Sequence, residues 1–135
     1  MLLLVNKIFF YFLPLLIWSL TIFSLSAMPG SGEAGYDLWF FLERKAAHIF
    51  EYAVLAILWT RVFWIYHKDE DNHCYYWAIF ASFIYAVSDE VHQLFVFGRS
   101  GKVSDILIDL LGILLGTGIF WAVEHGKRKK LGTHI

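Results

Sequence analysis

The segment VSDILIDLLGILLGTGIFWAV, residues 103–123, has the length and composition of a helix that crosses a membrane. About 20 apolar residues suffice to span the roughly 30 Å hydrocarbon core of a bilayer. Its only charges are Asp105 and Asp109, both in the first turns. A charge in lipid is costly unless it faces other protein groups. The segment therefore predicts a membrane-spanning helix that packs its polar end against a partner helix.

Three further segments reach the same length, at about residues 8–27, 45–64 and 75–95. The 135-residue chain is 59% hydrophobic and 19% aromatic, which is more apolar surface than so short a soluble domain could bury. We therefore predict a single all-α domain over residues 1–135, an integral membrane four-helix bundle. The first segment has some features of a signal peptide, but its apolar run exceeds the usual length of about 7–15 residues. We expect it to be retained as a helix.

The basic residues predict the orientation of the bundle. Four spans place both termini on one side, together with Lys7, Arg61, Lys68 and the Lys127–Lys130 tail, seven of the eleven cations. The positive-inside rule then puts both termini in the cytoplasm. We expect a multi-pass protein of the cell membrane whose first partners are membrane lipids.

The composition argues against cysteine-based structural sites and against a nucleic-acid-binding surface. Cys74 is the only cysteine, so an intrachain disulfide and a zinc–thiolate cluster cannot form. The Lys127–Lys130 run is too short for a nucleic-acid surface, which needs a basic patch or stripe. We expect no nucleic-acid partner and interpret the run as a topology determinant.

Ionisable residues from three segments fall at one depth. At 1.5 Å per helical residue, Glu51, Asp89 and Asp109 each lie roughly 9 Å below the outer surface. Charges at that depth should face the bundle and pair. The fourth segment carries Gly112 and Gly116 on the same face as its aspartates, which would let another helix approach closely. We interpret Arg44, by contrast, as an interfacial anchor.

Three motifs carry a resemblance to a known family. They are RKAAHIFEYAVL (residues 44–55), SDEVHQLFVFGR (88–99) and SDILIDLLGILLG (104–116). Together they resemble the VanZ-like family, named for a teicoplanin-resistance protein. The resemblance implies a multi-span membrane protein, sometimes linked to low-level glycopeptide resistance, and supplies no established reaction. By position, the family pattern maps onto Lys45, His48, Glu51, Tyr52, Asp89, Glu90, His92, Gln93, Arg99, Asp105 and Gly112. Many relatives carry Asn where this chain has Asp109, which implies that an amide can serve there.

The residues leave three functional hypotheses open beside a purely structural ion-pair network. The first is an enzyme acting on a lipid-linked or other cell-envelope molecule, by acid–base catalysis or through a divalent metal ion. The second is non-catalytic binding of a lipid or a glycopeptide, and the third is a small transporter or proton relay. The expected catalytic residues are His48, Glu51, Asp89 and His92. The expected substrate-binding residues are Lys45, Tyr52, Glu90, Gln93, Arg99, Asp105 and Asp109.

Overall fold

The structure, a computed structural model, describes residues 2–30, 38–66, 72–99 and 101–132. Within these ranges the chain forms helices and no strand, so the predicted all-α bundle is confirmed. The helices are α1 (Leu2–Ser26), α2 (Leu38–Tyr66), α3 (His73–Gln93) and α4 (Val103–Gly132). Most of the two longer predicted links, at residues 28–35 and 67–73, lies outside the described residues.

Each helix begins at or before the predicted start of its apolar segment, and α2 and α4 also continue past the predicted ends. In particular, α4 continues to Gly132, nine residues past the predicted end at Val123. Lysine, arginine and glutamate are good helix formers, and Lys127 forms an i,i+3 ion pair with Glu124. The charged tail therefore ends the apolar part of α4 without ending the helix.

Three of the helices, α1, α2 and α4, are long and apolar enough to cross a membrane. α3 has 21 residues and so a length of about 31 Å, but its sequence is more polar. Its polar side chains are buried in the bundle, at Ser82, Asp89, Glu90 and Gln93. Its exposed side chains include the large apolar residues Tyr76, Trp77, Phe80, Ile84 and Val91. The outer face of α3 is thus suited to lipid although its average composition is not.

The contact between α2 and α4 is the closest in the bundle. A Cβ atom added at Gly112 would lie 2.5 Å from the carbonyl oxygen of Ile49, and one at Gly116 would collide with that of Ala53. The glycines therefore let the two backbones touch, as small residues do at membrane helix interfaces. Gly112 faces Ile49 and Gly116 faces Ala53, so the two helices run parallel.

α1 packs across α2 and α3. Leu15 and Ile22 are buried in the apolar core. The indole N–H of Trp18 donates to the carbonyl of Glu51 at 2.9 Å. The hydroxyl of Tyr85 donates to the carbonyl of Ser19 at 2.6 Å. These bonds satisfy the polar atoms of two large side chains inside an apolar setting and fix the position of α1 at the bundle.

Candidate functional site

Two polar pairs link the N-terminal parts of α2 and α4. The Lys45 ammonium forms an ion pair with Asp105. The Nδ1 atom of His48 lies 2.8 Å from an oxygen of Asp109, whose side chain is fully buried. Lys45 and His48 are three residues apart and the aspartates four apart, so both pairs lie on facing sides of the parallel helices. The glycine contact just below holds them at this distance.

α3 brings two carboxylates to the same end of the bundle. One Asp89 oxygen accepts a hydrogen bond from the Gln93 side-chain amide at 3.0 Å. One Glu90 oxygen accepts from the backbone N–H of Lys102 at 2.8 Å. The second bond ties the last turns of α3 to the start of α4. Both carboxylates are buried.

Arg99 joins the turn between α3 and α4 to the end of α1. Its guanidinium donates to the carbonyl oxygens of Leu25 and Met28, each at 2.8 Å. These carbonyls belong to the last turn of a helix and the residues after it, where partners are lacking. The backbone N–H of Gly30 donates to the carbonyl of Phe97 at 3.1 Å beside them. Hydrogen bonds therefore connect the turn between α3 and α4 to the end of α1, and the two together form one edge of the bundle.

A cleft of about 100 Å³ opens beside this edge. It lies at the end of the bundle opposite to the start of α1 and the end of α4. Its polar lining consists of Ser26, Arg44, His48, Glu51, Asp89, Gln93 and Arg99. Two of the buried lining atoms, Ser26 Oγ and Gln93 Oε1, have no hydrogen-bond partner among the described residues. Positive and negative groups thus share a small space that still offers free polar atoms.

The predicted site residues fall into three groups. His48, Glu51, Asp89, Gln93 and Arg99 line the cleft. Glu90 and Asp109 lie beside His48, with ligand atoms of the three residues within 4.8 Å of one another. The remaining four predicted residues, taken up next, are Lys45, Tyr52, His92 and Asp105.

Those four residues are placed away from the cleft lining. Lys45 and Asp105 pair with each other across α2 and α4. Tyr52 is fully buried, its ring stacked against His48 with centroids 6.5 Å apart. The His92 ring packs against Phe23 of α1 at 4.6 Å. His92 thus contacts α1, and its buried Nε2 atom has no hydrogen-bond partner among the described residues.

Two polar cleft residues, Ser26 and Arg44, were missed by the sequence reasoning. Arg44 was interpreted as an interfacial anchor, yet it lines the cleft together with His48 and Glu51. The three residues are spaced i, i+4 and i+7 on α2, which places them on one helix face. That spacing was the available signal.

These features define a helical membrane protein with a charged cluster and a small polar cleft at one end of its bundle. The family described as VanZ/LLP1 matches residues 2–124 of the 135-residue chain. The chain belongs to this family, which confirms the resemblance carried by its motifs. Neither a curated protein nor a solved structure matches it.

The Lys45–Asp105 pair gives a prediction about stability. Lys45→Ala should lower the free energy of unfolding by about 2 kcal/mol, less than for a fully buried pair because Lys45 is partly exposed. Lys45→Arg should retain most of the stability, because the charge is kept. Thermal unfolding in detergent micelles measures both variants, with Lys102→Ala, whose side chain is exposed, as the control. An equal loss in Lys45→Ala and the control would contradict a stabilising pair.

Proposed function

We propose that the cleft binds the phosphate-bearing headgroup of a cell-envelope lipid or lipid-linked molecule. The observation that carries this proposal is that Arg44 and Arg99 line one small cleft together with the carboxylates of Glu51 and Asp89. Arginine presents a planar set of donors that matches phosphate. Carboxylates accept from hydroxyl or ammonium groups. The cleft thus offers partners to both parts of a headgroup.

The place of the cleft supports a ligand that remains in the membrane. It borders the end of α1, the start of α2 and the turn before α4, while the helix faces around it carry exposed apolar side chains such as Phe23 and Leu94. A lipid could therefore keep its chains in the bilayer while its headgroup reaches the cleft. With both termini in the cytoplasm, as the basic residues predict, the cleft would face the outer leaflet.

Catalysis on the bound molecule is the second candidate. It is favoured by the 2.8 Å contact between His48 and the buried Asp109, since a carboxylate that orients an imidazole is a recurrent part of acid–base sites. His48 also lines the cleft, so it would reach a headgroup bound there. Turnover of a lipid-linked substrate by purified protein, lost in His48→Ala, would distinguish catalysis from binding alone.

Transport and proton relay have less support. Among the described residues, the buried acidic side chains are Asp89, Glu90, Asp105 and Asp109, all at this end of the bundle. Further along the bundle, the buried hydroxyls of Thr60 and Thr117 donate to carbonyls of their own helices. Such hydroxyls are already satisfied by the backbone and do not extend the charged cluster toward the other end.

Lipid binding is tested with an arginine variant on α2. Arg44→Gln should weaken binding of an anionic phospholipid about tenfold or more, since a charge-assisted phosphate contact contributes about 1.5–3 kcal/mol. The assay compares how much phosphatidylglycerol and how much phosphatidylcholine the purified full chain retains. The bound lipid is detected by native mass spectrometry. Arg44→Lys should restore only part of the affinity, because lysine lacks the planar fork.

The matched control is Arg61→Gln. Arg61 lies on the same helix, about 26 Å further along it, with its guanidinium over the Tyr11 ring at 5.4 Å. It should leave lipid retention unchanged. Equal retention by Arg44→Gln and Arg61→Gln would contradict headgroup binding in the cleft. In cells, the corresponding readout is growth in the presence of teicoplanin. This antibiotic is chosen because the family resemblance implies a link to glycopeptide resistance, and the proposed ligands are lipid-linked envelope molecules.

A further inference from the structure

We infer that His48, Glu90 and Asp109 form a binding site for a divalent transition-metal ion such as Zn²⁺ or Mn²⁺ at the inner side of the cleft. One ligand atom from each residue lies within 4.8 Å of the other two. The three residues come from α2, α3 and α4, so the site would join three helices. This inference concerns metal binding by the protein and stands whether or not the cleft takes a lipid.

The distances fit one ion. Metal–ligand bonds to imidazole nitrogen and carboxylate oxygen are about 2.0–2.2 Å long, so two ligands on opposite sides of an ion are about 4.4 Å apart at most. The three ligand atoms all lie within 4.8 Å of one another, so any excess over this distance is a few tenths of an ångström at most, within the reach of small side-chain rotations.

Burial gives an independent reason to place a cation there. Asp109 is fully buried and Glu90 is 3% exposed. Each has one carboxylate oxygen, Asp109 Oδ2 and Glu90 Oε1, that is buried without a hydrogen-bond partner among the described residues. Two close carboxylates repel each other when both are ionised, and desolvation adds to that cost. A divalent cation would compensate both charges and use both free oxygens.

The surroundings hold these ligands in place. The N–H of Lys102 binds the other Glu90 oxygen at 2.8 Å, as partners outside the coordination sphere orient ligands in known metal sites. The Tyr52 ring stacks on His48, and its buried hydroxyl has no partner among the described residues. Tyr52 is thus available to a water molecule or other group bound at the ion.

The donor set selects the class of metal. Imidazole nitrogen suits Zn²⁺, Fe²⁺ and Ni²⁺, whereas Mg²⁺ and Ca²⁺ prefer oxygen ligands throughout. Carboxylate oxygen suits Mn²⁺ and is accepted by Zn²⁺. One nitrogen with two carboxylates therefore points to Zn²⁺ or Mn²⁺, with Mg²⁺ as the ion that should bind less well. Three protein ligands would leave a coordination position for a further group.

The test measures the metal content of the purified full chain. Bound metal is first removed from the protein with a chelator. The protein is then incubated with Zn²⁺, Mn²⁺ or Mg²⁺ and dialysed, and the retained metal is measured by elemental mass spectrometry. Wild-type protein should retain a stoichiometric amount of Zn²⁺ or Mn²⁺. Glu90→Gln should weaken that binding about tenfold or more, since even residues behind the ligands alter affinity by about 10–100-fold. Its remaining oxygen can still accept from Lys102, so the fold should be kept.

The control is Glu51→Gln, the same substitution at a nearby carboxylate on the cleft wall. It should retain metal as the wild type does. His48→Gln provides a second ligand variant and should lose metal as Glu90→Gln does, with helicity by circular dichroism confirming that each protein is folded. The inference would be overturned if the wild type retained neither Zn²⁺ nor Mn²⁺. That result would indicate that the carboxylates of Glu90 and Asp109 share protons and do not bind a metal ion. Equal retention by Glu90→Gln and Glu51→Gln would overturn it as well. Lipid retention, measured on the same samples, reports separately on the proposed function.

Discussion

His48→Leu should lower the free energy of unfolding by about 3–5 kcal/mol, the range found when one partner of a buried ionic pair is removed. The reason lies in Asp109, whose side chain is fully buried and 2.8 Å from the His48 ring. Without the imidazole, its carboxylate would have to stay charged without a partner or take up a proton. Both outcomes destabilise the folded bundle more than the loss of one hydrogen bond would.

A double-mutant cycle separates the pair from the packing of its members. His48→Leu/Asp109→Leu should recover much of the stability lost in His48→Leu, because two apolar groups replace the pair and no charge remains buried. The free energies of unfolding are measured in chelator, so that metal binding does not add to them. If the two single effects simply added, the pair would have no coupling and the assignment would be wrong.

An exposed pair serves as the reference for this cycle. Lys127 and Glu124 form an ion pair on α4 in which the lysine side chain is 63% exposed. Its removal by Lys127→Ala should change the free energy of unfolding by less than about 1 kcal/mol. The reference pair lies on α4, the helix that carries Asp109, and the assay is the same. It shows whether burial, and not ion pairing as such, accounts for the cost at His48.

Helix geometry explains how much of the site could be predicted. The fixed rise per residue places Glu51, Asp89 and Asp109 at one depth without any knowledge of packing. The 3.6-residue period puts Asp105, Asp109, Gly112 and Gly116 on one face, and that face contacts α2 in the structure. Both are local properties of a helix, so the sequence suffices.

The rotation of a helix about its axis could not be predicted in the same way. His92 and Glu90 lie two residues apart on α3, yet His92 packs against α1 and Glu90 lies beside α2 and α4. α3 has neighbours on more than one side, so Glu90 is buried and His92 is half-buried, and their spacing alone does not assign the partner. The capping of α1 by Arg99 depends on residues more than 70 positions away and has no local signature.

Gly116→Leu should reduce the free energy of unfolding by about 3 kcal/mol or more, at the upper end of overpacking costs, because the obstacle is backbone. A Cβ atom at this position would collide with the carbonyl of Ala53 in α2, and a carbonyl held in a helix cannot rotate away. The helices would have to separate. The separation would extend toward Asp109, about 10 Å along α4, and so loosen its contact with His48.

Gly118→Leu is the matched control, since a Cβ atom there has no neighbour within 4 Å in the part of the chain that the structure describes. It should be no less stable than the wild type, because leucine is a better helix former than glycine. Thermal unfolding in micelles compares the two variants, and metal retention tests whether the site is disturbed. Similar melting temperatures for both would mean that α2 and α4 are further apart at Gly116. In that case the glycine contact would not be what brings His48 and Asp109 together, and the close pairing of the two helices would have to depend on their polar residues alone.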